Sequence, residues 1–493
     1  MFFGNRKYNW LKLWTILCFF SCISEEDKEY SFVLDKIDRM RITASDTVFL
    51  KGDQTAKVKL FASYFDRIGQ PLDLSLDLQP EVWVNGKYLE NGFLDTSEEG
   101  LFSMTARIGK IESPPLNLRI VDVDTATYLS GLKIDFSDST RNNFAIAGKS
   151  RFNFEVKALD YRGKSVPRNA KVFLNGKEIQ SLERVLIEDE GLIEVIAKWG
   201  EYKSEPLVIQ SRRPFQKENV TRLPVVFHII HNGEAIGSPK NRTADDIYEE
   251  LRLTNLRMRN LIPSPYARSV NAEDTMIEFY PATTHENGEP LEEQGIHRIQ
   301  TEIRGFNYIN EITSSFLLEH LWDPNRYVNV FIMDIANGYS FAYYPTLRNP
   351  QSPTFEPGPL DYPYVAVVSL QGFGSHALAH ELGHFLGLNH VFSPALLRNC
   401  AEADSDLIED TEHYINIPEN VVGWFRRKCD GKTFYSTNYM DYHGGPKNSF
   451  TLGQVEKMHH TLKNAYYLPT PMNNARLGPF EKGKIDLSIS PIR

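Results

Sequence analysis

The sequence predicts a multidomain chain: two all-β sandwiches in tandem, followed by an α/β (α+β) domain. Three observations lead there. Residues from about 36 to 215 alternate apolar and polar side chains, the period of half-buried strands. The same stretch repeats itself at about ninety residues, the size of one immunoglobulin-like sandwich. Beyond it, short buried-strand runs mix with helical apolar spacing, and a helix-period histidine motif stands at residues 380–390.

The length of 493 residues allows two to four domains. With 24% charged and 41% hydrophobic residues the composition is that of an ordinary globular protein. A net charge of -10 argues against a general nucleic-acid binder. The first 22 residues read as a targeting segment. Arg6, Lys7 and Lys12 form a basic start, and residues 13–20 are an apolar run too short to span a bilayer. The run ends at Cys22 and resembles a bacterial lipoprotein signal, with Phe19 where a Leu is usual. Residues 23–35 form an acidic linker whose Glu25, Glu26 and Asp27 resemble the surface-export signal of Bacteroidetes lipoproteins. The resemblance implies lipidation of Cys22 and an outer-membrane, surface-exposed lipoprotein. The alternative is a plain secretory signal with an incidental cysteine. Cys18 reads as part of the apolar run.

Sandwich 1 is expected over residues 36–121 and sandwich 2 over 122–214. Alternation is visible at 56–62 and at 151–157. Val-Trp-Val-Asn-Gly-Lys at 82–87 matches Val-Phe-Leu-Asn-Gly-Lys at 172–177, and Glu-Gly-Leu at 99–101 matches 190–192. Ser113 and Leu116 match Ser204 and Leu207. Asn-Gly between apolar strands is a hairpin signal. Two roles are open for the pair: binding modules, or spacers between membrane and the next domain.

Arg212-Arg213-Pro214 reads as a linker to a domain over 215–470, with a tail at 471–493. The domain opens with Leu-Pro-Val-Val-Phe-His-Ile-Ile at 223–230, a buried-strand pattern in which His228 reads as a core histidine. A helix follows from about Thr243, with Thr243 and Asp246 placed as a capping box. Ile247, Leu251 and Met258 share its apolar face. Further strands are expected at 276–280 and 327–333, with a turn at 286–289. Residues 338–345 offer an edge strand along which an extended peptide can pair, although their aromatics equally suit a core.

At residues 380–390 the chain reads His-Glu-Leu-Gly-His-Phe-Leu-Gly-Leu-Asn-His. As a helix this sets His380 and His384 one turn apart on one face. Gly387 can take a positive φ, end the helix and bring His390 round as a third ligand. Three neutral nitrogens and an open fourth position suit a catalytic zinc, and Glu381 is placed as general base. About fifty residues on, Ser-Thr-Asn-Tyr-Met-Asp-Tyr at 436–442 follows. Cys400 and Cys429 lie between the two motifs; in an exported protein such a pair is expected as a disulfide, two free thiols being the alternative.

Together these pieces resemble the pappalysin and cytophagalysin group of metzincin metalloproteases, over about residues 220–470. The resemblance rests on the histidine motif and on Asn-Tyr-Met-Asp-Tyr at 438–442. Weaker support comes from the strand at 223–230, Ile-Glu-Phe at 277–279, Gly-Ile-His-Arg at 295–298, Val-Asn-Val at 328–330, and the helix pattern at 450–458. It implies an α/β fold split by a cleft and zinc endopeptidase activity. His380, His384 and His390 would be the metal ligands, Glu381 the general base and then acid, and Met440 the methionine beneath the metal. Tyr442 resembles the tyrosine that swings to the oxyanion, with ordinary packing as its alternative. His376 is expected as a polar helix residue and Asp441 as a structural hydrogen-bond acceptor. The resemblance also allows calcium, through Asp410-Thr411, with Glu412 where the family has Pro. Residues 393–402 depart from the family. The expected function is a surface-anchored zinc endopeptidase whose partners are protein or peptide substrates, the membrane through its lipid, and a surface ligand of the sandwiches. The alternative is an adhesin or binding lipoprotein with a vestigial protease domain. Intact ligands and an intact Glu381 favour the first.

Overall fold

The computed structural model describes residues 37–492 except 45–46, 52–59, 68, 70, 73–79, 90–93, 122–128, 138–141, 161–164, 167–168, 201, 309, 349–358, 394–405, 430, 443–444 and 471–479. Cys22, the targeting segment, the acidic linker, Cys400 and most of the unusual 393–402 loop lie outside the described residues. Among the described residues, no helix is long and apolar enough to cross a membrane. The chain divides into two compact units, residues 1–128 with 165–167, and residues 129–164 with 168–493.

The first unit is strand-rich. Arg39–Ala44, Leu60–Phe65 and Pro71–Leu72 form one sheet. A second sheet runs Val48–Leu50, Leu116–Val121, Gly100–Ile108, Glu81–Val84 and Lys87–Tyr88, with Ile111–Glu112 also on Gly100–Ile108. Alternation buries Met40, Ile42, Met104, Ala106, Leu118 and Ile120, as a period of two requires.

The second unit begins with the same plan. Leu129–Phe136 pairs with Phe154–Asp160. A sheet then runs Phe144–Ile146, Leu207–Arg212, Gly191–Trp199, Lys171–Leu174 and Lys177–Ile179, with Tyr202–Lys203 on Gly191–Trp199. The sequence matches have structural counterparts. Asn85-Gly86 and Asn175-Gly176 both take positive φ (47 and 77°, 47 and 81°) at the tips of equivalent hairpins. Ser113 Oγ accepts the Ala106 N–H at 3.0 Å, and Ser204 Oγ accepts the Ala197 N–H at 2.9 Å. Arg212 closes a strand and its guanidinium pairs with Glu456, so the expected linker begins inside ordered structure.

The rest of this unit is an α/β fold. Its sheet runs Ile277–Pro281, Thr221–His231, Val328–Met333, Ala366–Ser369 and Phe341–Ala342, with Ile296–Gln300 also on Thr221–His231. All pairings are parallel except that of Phe341–Ala342 with Ala366–Ser369, which is an antiparallel edge. Val328–Met333 is buried throughout, as a central parallel strand covered on both faces must be. Among the described residues, four α-helices accompany it: α1 (Ala244–Met258), α2 (Glu311–His320), α3 (Ala377–Phe385) and α4 (Leu452–Asn464). Thr243 and Asp246 form the capping box of α1, and Thr451 and Gln454 form one for α4. Of residues 338–345, only Phe341–Ala342 is a strand, and its Phe341, Ala342 and Tyr343 are buried.

Candidate metal centre

Strand Ala366–Ser369 delivers the chain to α3, whose hydrophobic residues pack on the sheet while its polar face meets the segment around Met440. His380, Glu381 and His384 are all buried on α3. The helix ends at Gly387: its N–H donates to His384 O at 2.8 Å, the Leu388 N–H donates to Gly383 O at 2.9 Å, and its φ is 89°. A side chain there would also meet Thr461 Oγ1 of α4 at 2.5 Å. Glycine is therefore required twice over, by conformation and by space. The turn returns His390 to its two partners.

The three Nε2 atoms converge. His380 and His384 are 3.1 Å apart, His384 and His390 2.9 Å, His380 and His390 3.2 Å. His380 Nδ1 lies 2.6 Å from Tyr439 O, and His384 Nδ1 lies 2.7 Å from Leu388 O. Each carbonyl accepts, so each Nδ1 carries the proton and each Nε2 presents a lone pair. Burial lowers the His380 pKa to about 4, opposed by the bond to Tyr439. Burial, then the neighbouring His390 and His380, push His384 well below its usual value. Lone pairs facing one another cannot satisfy each other; a cation between them can. A tetrahedral zinc with bonds of about 2.0–2.1 Å separates its nitrogens by about 3.3 Å, which this triangle nearly matches. Among the described residues these three form the one group able to hold a metal.

Beside them, Glu381 Oε2 is buried without a hydrogen-bond partner. Burial raises its pKa well above the carboxylate range. An orphaned acceptor next to a metal-shaped triangle fits a base aimed at a water.

The Met440 segment closes the floor. Met440 is fully buried, and its Sδ lies 2.5 Å from where a Gly383 Cβ would stand. Asn438 Oδ1 accepts the Met440 N–H at 2.8 Å and ties the segment to Gln454 of α4. The Tyr442 ring lies 4.3 Å from that of His390 and 5.9 Å from that of His380, and Tyr442 is 37% exposed. It sits at the rim of the site, in contact with the histidines.

Asp441 faces inward. It accepts from Tyr414 Oη at 2.7 Å and Arg426 Nε at 3.1 Å, with Lys447 Nζ at 3.6 Å. Burial alone would raise its pKa, but Lys447 and Arg426 outweigh that and hold it at about 2. His376 is the residue before α3, half-buried, and makes no side-chain cap bond. His228 is fully buried and bonded to Asn329 Oδ1 and His297.

Calcium finds no support. Both oxygens of Asp410 serve the start of α4, accepting from Thr451 Oγ1 at 2.7 Å and Gly453 N–H at 2.9 Å. Glu412 pairs with Lys428 at 2.8 Å. The carboxylate expected near the ion, Asp410, is already used. Cys429 is disulfide-bonded, and Cys400 lies outside the described residues.

Sequence reasoning missed two groups. Tyr344 lies against the His384 ring at 6.1 Å, with its hydroxyl bonded to Asn389 Oδ1. Arg426, Lys447 and Tyr414 surround Asp441. Asn389 lies inside the histidine motif and Tyr344 inside the 338–345 stretch, but neither residue was itself singled out.

A peptidase family description, Peptidase_M43 (Pregnancy-associated plasma protein-A), matches residues 311–463, the span holding all three histidines and Met440. No curated protein matches the chain. Among solved structures, mature mirolysin of Tannerella forsythia, in complex with a cleaved peptide, is similar at 22% identity, covering 53% of this chain and 100% of that one, with a TM-score of 0.40. Domains 5–6 of the S-layer protein SbsC align at 13% identity over 36% of this chain and 98% of that one, TM-score 0.21. Metalloproteinase-II of Bacteroides fragilis aligns at 10% identity over 55% and 80%, TM-score 0.21. These structural likenesses are too weak to assign a property to this chain.

Proposed function

Residues 311–463 being a pappalysin-type metallopeptidase region, we propose that the chain is a surface-anchored zinc endopeptidase of the metzincin kind. The observation that carries this is the convergence of three Nε2 atoms beside the orphaned carboxylate of Glu381.

His380, His384 and His390 would hold the metal, the Nδ1–H groups of the first two fixed by Tyr439 O and Leu388 O and the His390 ring stacked on Phe392. Zinc bound there supplies Lewis acidity towards a peptide carbonyl and towards water. Glu381 Oε2 takes the proton of the attacking water, and its buried surroundings favour keeping that proton. The same oxygen then returns it to the leaving amine. Tyr442, at the rim, donates its hydroxyl proton towards the carbonyl oxygen as charge develops there. Met440 sets the floor against Gly383 of α3.

We read the two repeated sheet pairs as immunoglobulin-like sandwiches, Cys400 as the partner of Cys429, and Cys22 as the lipidated anchor of an exported protein. The substrates would be proteins or peptides.

Glu381→Gln tests the chemistry. It should keep zinc, measured by atomic absorption, and lose about a hundred- to ten-thousand-fold in casein or peptide cleavage. Equal cleavage by both proteins, at matched zinc, would remove Glu381 from the mechanism. Cys22→Ser should move the protein from the membrane to the soluble fraction, since about 0.8 kcal/mol per buried methylene is lost with the lipid. Unchanged fractionation would end the anchor reading.

A further inference from the structure

Of the three metal ligands, His380 and His384 stand on α3, and His390 follows the turn at Gly387. The helix closes with the Leu388 N–H, which donates to Gly383 O at 2.9 Å. The Val391 N–H ties the chain again by donating to Met440 O at 3.3 Å. Asn389 and His390 lie between these two ties. The peptide group that joins Leu388 to Asn389 serves two ligands at once. Its carbonyl accepts from His384 Nδ1 at 2.7 Å, and its other end leads into His390. Because the peptide unit is planar, its two ends turn together. A rotation of this one plane would take the acceptor from His384 and move His390 off the triangle.

The side chain that can hold the plane is Asn389, which is half-buried. Tyr344 Oη donates to Asn389 Oδ1. An amide oxygen only accepts, so the phenol proton lies in this bond. Burial, and then Tyr442, raise the Tyr344 pKa above its usual value, which keeps that proton in place. The Tyr344 ring meets the His384 ring edge-on, with centroids 6.1 Å apart and planes at 87°. One side chain therefore touches a ligand ring and the residue that precedes another ligand.

Tyr344 is itself pinned on both sides. The Tyr343 N–H donates to Val365 O at 3.1 Å, fixing the chain before it to the sheet. Pro345 after it has a locked φ and lies 3.8 Å from where a Gly387 Cβ would stand. The Tyr466 N–H donates to Thr346 O at 3.0 Å, and Thr346 Oγ1 lies 2.8 Å from Tyr362 Oη. A half-buried phenol needs only some acceptor, and a water would serve. Here the acceptor is the side chain between the two ties, and the donor is carried by a stretch that cannot follow it.

We infer that Tyr344 is a positioning residue for the metal: through Asn389 its hydroxyl holds the Leu388–Asn389 peptide, and so keeps His384 oriented and His390 in the triangle. The inference rests on the reading of the three histidines as zinc ligands.

The test uses the full chain, freed of metal by chelation, with zinc and cobalt(II) as the probes. Zinc affinity is measured by competition with a chromophoric chelator, and cobalt(II) by its visible absorption, which reports the number and angles of its ligands. Tyr344→Phe keeps the ring against His384 and removes only the hydroxyl. It should weaken zinc binding about three- to tenfold and alter the cobalt spectrum. Asn389→Ala should weaken zinc binding at least as much. In the Asn389→Ala background Tyr344→Phe should change neither quantity, because the bond it breaks is already absent. A Tyr344→Phe effect that persists in full in that background overturns the inference, since the hydroxyl would then act by another route. A parent that takes up no zinc overturns the metal reading and the positioning role together. Zinc held equally tightly by parent and variants, with one cobalt spectrum for all, overturns the positioning role alone.

Discussion

Gly383→Ala probes the contact on which the site's floor depends. Gly383 lies inside α3, where Ala is favoured over Gly by about 1 kcal/mol. On propensity alone the substitution should stabilise. The new methyl, however, would stand 2.5 Å from Met440 Sδ and 3.2 Å from its Cε. Both are far inside van der Waals contact, and Met440 is fully buried, so the thioether cannot swing into solvent. Overpacking of this kind costs about 1–3 kcal/mol. Less the helix gain, the net loss is about 0–2 kcal/mol, and the displaced Met440 carries Asp441 and Tyr442 with it. Denaturant unfolding of the zinc-loaded protein, followed by tryptophan fluorescence, measures the stability; kcat and KM on one peptide measure the site. The expected pattern is a small stability loss with a fall in kcat larger than the change in KM. If Gly383→Ala is more stable by the full propensity gain and equally active, Met440 does not bear on α3 as described.

Two further outcomes follow from buried polar groups. Arg426→Met leaves Asp441 with Lys447 at 3.6 Å and Tyr414 as its remaining partners; breaking one side of a buried ion pair costs about 3–5 kcal/mol, and a loss under about 1 kcal/mol by denaturant titration would mean that Arg426 does not anchor the segment. His297 has its pKa lowered to about 4 by burial and then by His285 and His320. The unfolded chain therefore binds more protons between about pH 6.5 and 4, so stability falls as pH drops through that window, by an amount that solvent screening of this partly exposed ring keeps below roughly 3 kcal/mol. His297→Gln should flatten the pH dependence of unfolding there, and an unchanged slope would show that His297 does not titrate differently on folding.

The metal triangle was legible because its geometry is local. Two ligands share one helix face, and the third follows a glycine turn that φ and the close approach of Thr461 both enforce. The α1 capping box and the Asn-Gly hairpins were legible for the same reason, each being a contact within a few residues. Arg426, Lys447 and Tyr414 were not, since the chain separates them from Asp441 and nothing local marks a buried arginine. Asp441 itself was read as a structural acceptor, but its partners had to come from the fold. His228 was read as a core histidine and is one; its bond to His297 arises only because strand Ile296–Gln300 lies in register beside Thr221–His231. Since His228 Nε2–H donates to Asn329 Oδ1, its Nδ1 accepts from His297 Nδ1–H, a pairing that keeps both rings neutral. The candidate edge strand shows the opposite failure. Its position was legible, but its occupancy by Ile492 depends on a contact across about 150 residues.

The second repeat changes the choice between module and spacer. Lys149 Nζ reaches Glu273 at 2.6 Å, and the Glu273 side chain is only 4% exposed. Ser150 Oγ donates to Val270 O at 2.6 Å while accepting the Ile146 N–H at 2.7 Å. Arg212 pairs with Glu456 on α4, the helix whose Thr461 approaches Gly387 and whose Gln454 ties down Asn438. These contacts lie within one compact unit. A spacer needs only length and a hinge; it has no use for a near-buried carboxylate shared with the domain it carries. The docking residues Lys149, Ser150 and Arg212 fall outside the matched Asn-Gly, Glu-Gly and Ser/Leu positions of the repeat, which maintain each sheet pair internally. Internal similarity thus fixes how a repeat folds, while unmatched residues at its edge fix what it folds against. In the second copy, Arg212 braces the helix that supports the metal centre, while Lys149 and Ser150 hold the segment at Val270 and Glu273.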